Sequence, residues 1–341
     1  MTSPSNPGPL TPPTLPNLPA WLRELYPFAT RTALINAQRM SFVELGSPLA
    51  PPVILLHGNP TWSVLWRTLI PRLAQRYLVI APDMIGFGLS DKPTEAAYHT
   101  IPRHSANLAA LVDALAAENS AFRAQKIMLV MHDWAGPIGL DYAANNPQKI
   151  RKLVLVNSWL APVSDLASVS ASASTSGSPA GHVKLRPASR LSIAGALGGW
   201  LDSALNFAIP AAINTTGRLG LPANVLDAYK FPFRDNQRIA PRVFFKMTGK
   251  AGSASAADSA AAAQLREGLR CMDAPAEILW GAKDPVCGQM AAQGLREAIP
   301  NAREPLALEY HGHMLPEETP EALLTRILEE IKPQSVLRIL Q

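Results

Sequence analysis

Asp133 stands where a buried strand turns sharply into a helix, and this position makes it a candidate nucleophile. The apolar run 127–131 predicts a buried strand, and the segment from Gly136 onward predicts a helix. The turn between them places Asp133 at its tip. A carboxylate nucleophile forms an ester with the carbon that it attacks, and this chemistry suits displacement at an sp³ carbon. The segment therefore predicts covalent catalysis, provided that a base and its partner follow later in the chain.

This strand–turn–helix segment resembles the nucleophile elbow of the α/β-hydrolase fold. That elbow usually reads G-x-S-x-G, and the backbone N–H of the residue after the nucleophile forms part of an oxyanion hole. Here Asp133 replaces the serine, Trp134 follows it, and no G-x-S-x-G occurs in the chain. Asn59 follows another predicted strand, 53–56. The backbone N–H groups of Asn59 and Trp134 can together hold a carboxylate oxygen of Asp133 and the oxyanion formed later.

Two residues that follow later strands complete a set of nucleophile, acid and base. Asp284 lies in a turn after the predicted strand 276–280. His313 follows the last predicted strand, 307–310. The order Asp133, Asp284, His313 is the order of nucleophile, acid and histidine in the α/β-hydrolase fold. Because ligands bind at the carboxyl ends of the strands in open α/β sheets, we expect these three side chains to meet there.

Each of the two partners has an alternative. The acid could come from the end of the preceding strand, but Asn157 and Ser158 stand there. Asp284 could be only a turn residue or a helix N-cap. His311 could be the base, although the Gly-His-hydrophobic context after the last strand favours His313. The sequence favours Asp284 and His313.

Two further histidines, His57 and His132, adjoin the candidate site in the sequence. Their neighbours favour structural hydrogen bonding. A zinc site built from His57, His132 and His313 is conceivable, but no H-x-x-x-H pair and no carboxylate spacing support it. We therefore predict that the reaction needs no metal and no cofactor.

Short apolar strands alternate with helical segments along most of the chain, a pattern typical of a mostly parallel sheet with helices on both faces. We expect an α/β-hydrolase core with eight strands, formed by residues 21–160 and 273–341. Residues 161–272 lack such strands and predict an inserted helical cap. Two runs rich in Ser and Ala within it, 167–181 and 251–263, predict mobile surface loops.

The composition limits the partners. Hydrophobic residues make up 48% and charged residues 17% of the chain, which indicates a globular protein with an ample core. The net charge of +5 is scattered, with no basic stripe that carries interleaved aromatics, so we expect no nucleic-acid partner. The apolar stretch 191–213 is interrupted by Asp202 and Pro210, so we expect no membrane span. The sequence leaves an oligomer open.

The N-terminal segment and the two cysteines bear on the cellular compartment. Residues 1–20 are rich in proline and predict a flexible arm, with no pattern of a signal peptide. The two cysteines, Cys271 and Cys287, have neither metal-ligand spacing nor a disulfide framework. This usage fits a reducing compartment, so we expect a cytoplasmic protein.

Four segments resemble the haloalkane dehalogenase family, and jointly they are specific. They are H-G-N-P-T-W-S at 57–63, P-D-M-I-G-F-G-L-S-D at 82–91, H-D-W at 132–134 and the cap segment D-A-Y-K-F-P-F at 227–233. The resemblance covers about residues 22–335.

This resemblance implies Asp133 as nucleophile, His313 as base and Asp284 as its partner. It also implies that Asn59 and Trp134 hold the leaving halide, since an amide N–H and an indole N–H are suitable donors. The implied substrate is a small halogenated hydrocarbon. Water hydrolyses the alkyl ester on Asp133 and yields a primary alcohol, a halide ion and a proton.

Three further residues in the matching segments, Trp62, Phe231 and Pro232, are expected to line the substrate pocket. The chain departs from the family at Ala135, where glycine is usual. Epoxide hydrolases share the His-Asp-Trp elbow, but they activate the epoxide with cap tyrosines, and the expected cap contains only Tyr229. A weakly active or silent hydrolase fold used for assembly is the other alternative.

Overall fold

The computed structural model describes residues 9–160, 213–214, 217, 220–233, 237–249 and 256–329. Most of the expected cap, including the run 167–181, therefore lies outside the described residues.

Eight strands form one sheet. They are β1 Thr30–Ile35, β2 Gln38–Leu45, β3 Pro52–Leu56, β4 Leu78–Pro82, β5 Ile127–His132, β6 Ile150–Val156, β7 Ala276–Gly281 and β8 Leu306–Leu308. Their order across the sheet is β1-β2-β4-β3-β5-β6-β7-β8. β2 pairs antiparallel with β1 and β4, and all other neighbours are parallel. This topology confirms the predicted mostly parallel, eight-stranded sheet.

The α-helices of the described ranges alternate with these strands. They are α1 Ala20–Leu25, α2 Ile70–Leu73, α3 Ile101–Glu118, α4 Ser120–Ala124, α5 Ala135–Asn145, α6 Ala223–Lys230, α7 Ile239–Gly249, α8 Ala256–Arg270, α9 Gln289–Ala298, α10 Leu315–Glu318 and α11 Pro320–Leu328. None of these helices is both long and apolar enough to cross a membrane.

The central strands read as continuous apolar runs because they are covered on both faces. Every residue of β3, β4, β5 and β7 is buried. The chain leaves each parallel strand at the same edge of the sheet, which is where open α/β sheets bind their ligands. Polar residues follow the strands at this edge, and they form the candidate site.

Residues 9–19 of the proline-rich segment pack against the sheet, so the prediction of a flexible arm is wrong for this part. The N–H of Thr11 donates to the carbonyl of Thr32 in β1 at 3.0 Å. Leu10 and Leu18 are buried in the core. The segment covers β1, which lies at the edge of the sheet and would otherwise expose unpaired backbone groups.

The predicted loop over 251–263 is also wrong from Ala256 onward, where α8 begins. Alanine has the highest helix propensity, so an alanine-rich run forms a helix when apolar side chains further along the same segment can pack on the core. Leu269 is such a side chain and is fully buried. The helix lies directly on α5, since a Cβ at Gly268 would meet Cβ of Ala144 at 2.7 Å.

Candidate active site

Asp133 lies at the turn between β5 and α5, with φ of 55°, a left-handed conformation that L-residues rarely adopt. Two glycines make room for this turn. A Cβ at Gly58 would lie 2.4 Å from Oδ2 of Asp133, and a Cβ at Gly136 would lie 1.7 Å from Oγ of Ser158. That hydroxyl donates to the carbonyl of Asp133 at 2.7 Å. The chain thus presents a buried carboxylate at the carboxyl edge of the sheet.

One oxygen of this carboxylate accepts a backbone hydrogen bond. The N–H of Asn59, which follows β3, lies 2.8 Å from Oδ2 of Asp133. A backbone N–H aimed at a carboxylate oxygen stabilises negative charge on it. The structure places this donor where the sequence predicts it. Trp134 follows as the residue before the first turn of α5, and its side chain is buried.

His313 stands between two buried carboxylates. Its Nδ1 lies 2.9 Å from Oδ2 of Asp284, and its Nε2 lies 3.4 Å from Oδ1 of Asp133. Burial disfavours the imidazolium, but the charges of Asp284 and Asp133 outweigh burial and raise the pKa of His313 to about 10. The two carboxylates therefore favour the protonated ring, which lies between them.

Asp284 is both a turn residue and the partner of His313. Its Oδ1 accepts the backbone N–H of Val286 at 2.7 Å and that of Cys287 at 3.2 Å. Its Oδ2 is shared by His313 and by Nδ2 of Asn157, which lies 2.6 Å away. These hydrogen bonds hold the carboxylate of Asp284 with Oδ2 toward the imidazole.

Asn157 was not among the predicted site residues. It follows β6 with φ of 43°, and its Oδ1 accepts the N–H of Gly281 at 3.2 Å. Its Nδ2 reaches both Asp284 and the carbonyl of Gly312, the latter at 3.3 Å. The available signal was a polar residue directly after a parallel strand. This carboxamide ties the acid turn to the loop that carries His313.

We expect Asn157→Ala to lower the free energy of unfolding by about 1.5–3 kcal/mol, because a hydrogen bond to a buried charged group is lost. Urea denaturation measures this change. Asn145→Ala is the matched control, since the exposed Asn145 side chain donates only to a carbonyl in its own helix. Equal denaturation midpoints for the two variants would contradict the role of Asn157.

The two neighbouring histidines are structural, as expected. Nε2 of His57 accepts the N–H of Met84 at 2.9 Å, so its Nδ1 carries the proton and donates to the carbonyl of Gly58 at 2.8 Å. Nε2 of His132 lies 2.9 Å from the carbonyl of His313. Burial lowers the pKa of both rings to about 4. Among the described residues, no group of His, Cys, Asp and Glu is arranged to hold a metal.

Aromatic rings surround the side chain of Trp134. Its ring centre lies 5.0 Å from that of Trp159 and 5.0 Å from that of Phe244 in α7. Nδ2 of Asn59 lies 3.4 Å from the carbonyl of Pro241, also in α7. Within the described part of the chain, Oδ1 of Asn59 has no hydrogen-bond partner. Helix α7 thus closes over the two expected halide donors, a contact that the sequence did not indicate.

The three residues expected to line the pocket lie at the contact between the core and α6. Nε1–H of the buried Trp62 donates to the carbonyl of Ala228 at 3.0 Å. The ring of Phe231 meets that of Trp21 edge-on at 6.4 Å, and Pro232 is buried. The structure gives Trp62 and Phe231 a part in seating α6, and their place in a substrate pocket stays a prediction.

Comparison with known proteins agrees with this fold. Residues 51–174 match the family described as alpha/beta hydrolase fold. Haloalkane dehalogenase 1 of Mycobacterium bovis is 31% identical over 313 residues, which cover 89% of this chain and 93% of that protein. The chain therefore belongs to the haloalkane dehalogenase family, as its motifs predict.

Other relatives match over a shorter stretch. A cis-3-alkyl-4-alkyloxetan-2-one decarboxylase of Shewanella oneidensis is 38% identical over 137 residues, which cover 40% of this chain and 41% of that protein. The chain likewise spans 54% of a haloalkane dehalogenase 2 of Mycobacterium bovis. It thus spans about half the length of these curated relatives.

Solved structures share the fold at low identity. The tetrameric haloalkane dehalogenase from Paraglaciecola agarilytica NO2 superimposes with a TM-score of 0.68 at 23% identity, over 89% of this chain and 95% of that one. The epoxide hydrolase CorEH gives a TM-score of 0.67 at 22% identity, over 88% and 96%. The overall fold therefore does not distinguish the two activities, and the site must do so.

Proposed function

We propose that this protein hydrolyses small haloalkanes to an alcohol and a halide through a covalent ester on Asp133. One observation carries the proposal: His313 joins a carboxylate at the elbow to a second buried carboxylate, at 3.4 and 2.9 Å. A nucleophile, a base and a group that orients the base are the parts that covalent hydrolysis requires.

In the first step, Asp133 displaces the halide. Oδ2 keeps its hydrogen bond from the N–H of Asn59, so Oδ1 forms the new bond to carbon while the carbon–halogen bond breaks. The bonding electron pair leaves with the halide. The indole N–H of Trp134 and the amide of Asn59 supply donors to the departing anion, and for the latter Nδ2 turns away from the carbonyl of Pro241. This step needs no proton transfer.

In the second step, water cleaves the ester. Esterification removes the charge of Asp133, so His313 loses one of the two anions that keep it protonated and releases its proton. The neutral imidazole, held by Asp284, takes a proton from water as the water attacks the ester carbonyl carbon. The oxyanion forms on Oδ2 and is stabilised by the N–H of Asn59. Collapse of this intermediate breaks the bond to the alkoxide oxygen, which takes a proton back from His313, while the remaining carboxyl proton returns to the imidazole; the alcohol leaves and the carboxylate of Asp133 is restored.

The cap tyrosine argues against the epoxide hydrolase alternative. The hydroxyl of Tyr229 donates to Oε1 of Glu317 inside the contact between α6 and the core. Tyr229 is fully buried there. A hydroxyl held by a carboxylate in this contact is not available to activate an epoxide oxygen.

A comparison of two matched substrates tests the proposal. The purified protein is incubated with 1-bromobutane and, separately, with 1,2-epoxybutane, and bromide, butanol and diol are measured. We expect bromide and butanol in equal amounts, and neither product from Asp133→Ala. Diol formation without bromide release would overturn the proposal in favour of epoxide hydrolysis, and no product from either substrate would favour a silent hydrolase fold.

Loss of either halide donor should weaken halide binding. We expect Trp134→Phe and Asn59→Ala each to raise the bromide inhibition constant by about 10- to 150-fold, since a hydrogen bond to a charged partner contributes about 1.5–3 kcal/mol. Trp21→Phe is the matched control, because this tryptophan is partly exposed and packs on Phe231. An unchanged inhibition constant in both site variants would refute the halide role.

We also infer a reducing compartment, in line with the predicted cytoplasmic location. Cys271 is exposed, Cys287 is buried, and both are free thiols. Unpaired cysteines persist where thiols are kept reduced.

A further inference from the structure

The short helix α10 follows His313 directly and carries two carboxylates that the proposed reaction does not use. Glu318 is 9% exposed, and the side chain of Glu317 is 5% exposed. Burying a carboxylate is costly unless it is paired or hydrogen-bonded. The partners of these two groups therefore show what each carboxylate stabilises.

Glu318 holds the backbone immediately before the histidine. Its Oε2 accepts the N–H of Gly312 at 2.7 Å. The carbonyl of Gly312 in turn accepts Nδ2 of Asn157 at 3.3 Å, and the carbonyl of His313 accepts Nε2 of His132 at 2.9 Å. Three polar side chains thus hold this dipeptide, and Glu318 is the acid among them.

The backbone at Gly312 also has little room to shift. A Cβ at Gly281, the last residue of β7, would lie 1.9 Å from the carbonyl oxygen of Gly312. The loop therefore lies directly on the end of the strand that leads to Asp284. Because His313 follows Gly312 directly, the orientation of its imidazole toward Asp284 and Asp133 depends on how this backbone is held.

Glu317 serves a different contact. It accepts hydrogen bonds from both terminal nitrogens of Arg67 and from the hydroxyl of Tyr229 in α6. These bonds seat α6 on the core. The described hydrogen bonds of Glu317 and Glu318 thus go to different groups, which allows the effects of the two carboxylates to be measured separately.

We infer that Glu318 is a positioning residue that sets the place of His313 through the N–H of Gly312, and that it selectively supports hydrolysis of the alkyl ester. This inference rests on the proposed function. A charge-assisted hydrogen bond is about twice as strong as a neutral one, so the carboxylate restrains the loop more firmly than an amide can. The first displacement uses Asp133 and the halide donors, and it does not need His313 as a base.

The test separates the two steps in Glu318→Ala. Rapid mixing with 1-bromobutane gives the rate of the bromide burst, and intact-protein mass spectrometry gives the decay of the butyl adduct. We expect decay to slow by about 10- to 100-fold, the loss expected from a displacement of about 1 Å, while the burst rate changes by less than about threefold. Glu318→Gln, which keeps the shape and an acceptor but loses the charge, should give a decay rate between those of the unaltered protein and Glu318→Ala.

Two controls assign the effect. Glu321→Ala removes a surface carboxylate that accepts a hydrogen bond from Arg72. Tyr229→Phe removes the hydroxyl that donates to Glu317. Neither variant should change the ratio of the burst rate to the decay rate. Equal slowing of both steps, or no slowing, in Glu318→Ala would overturn the inference. If Glu318→Ala does not fold, Glu318→Gln replaces it: slower decay with an unchanged burst and a shifted Nδ1–H proton resonance of His313 would support the inference, and slowing of both steps, or of neither, would refute it. No bromide burst from the unaltered protein would instead contradict the proposed function.

Discussion

His313→Ala should release about one equivalent of bromide per active site from 1-bromobutane and then stop. The first displacement uses the carboxylate of Asp133, whose Oδ2 is already held by the N–H of Asn59 at 2.8 Å. Hydrolysis of the ester needs a base, and removing a general base typically costs about 10²- to 10⁴-fold in rate. The variant should therefore accumulate the butyl ester on Asp133.

Intact-protein mass spectrometry followed by peptide mapping decides this outcome. His311→Ala is the matched control: the described backbone bonds of His311 are to Leu308 and Lys283, and we expect normal turnover. An adduct in the His311 variant alone would reverse the assignment of the base. An adduct on another residue would refute Asp133 as the nucleophile.

The parts of the site that the sequence predicts are those that follow strands. Asp133, Asp284 and His313 each come directly after a buried apolar run or the turn behind it, so chain order and strand direction place them at one edge. Helical segments are also expected between the strands, and α3 is one of them, with its first turn capped by the side chain of Thr100. These features depend on short segments whose pattern is visible locally.

The contacts that the sequence missed join distant segments. Asn59 and Pro241 are 182 positions apart, and Glu318 acts on Gly312 only because α10 folds back on its own loop. Composition also misled at both low-complexity segments that the structure describes. Prolines are compatible with an extended, strand-like segment as well as with a free arm, and alanines with a helix as well as with a loop. In both segments, buried leucines accompany packing on the core.

The pKa of His313 should fall when Asp133 is esterified. In the free protein burial opposes the imidazolium, but the charges of Asp284 and Asp133 outweigh it and raise the pKa of His313 to about 10. At neutral pH such a ring is mostly protonated, and a protonated ring cannot accept a proton as a base. A neighbouring opposite charge raises the pKa of a histidine by about 1–3 units, and the ester removes one such charge while Asp284 remains.

We therefore expect decay of the alkyl ester to rise with pH through an ionisation about 1–3 units below that of His313 in the free protein. Single-turnover decay of the butyl adduct between about pH 6 and 10 gives the first value, and titration of the His313 ring by NMR gives the second. The sign follows from the base: decay is slow below the lowered pKa, where the ring stays protonated, and reaches a plateau above it. Asp133→Asn provides the matched control, because its amide removes the same charge without substrate, and its His313 should titrate near the lowered value. The decay rate could instead rise with pH around the pKa that His313 has in the free protein. In that case, loss of the Asp133 charge would not explain how His313 becomes a base.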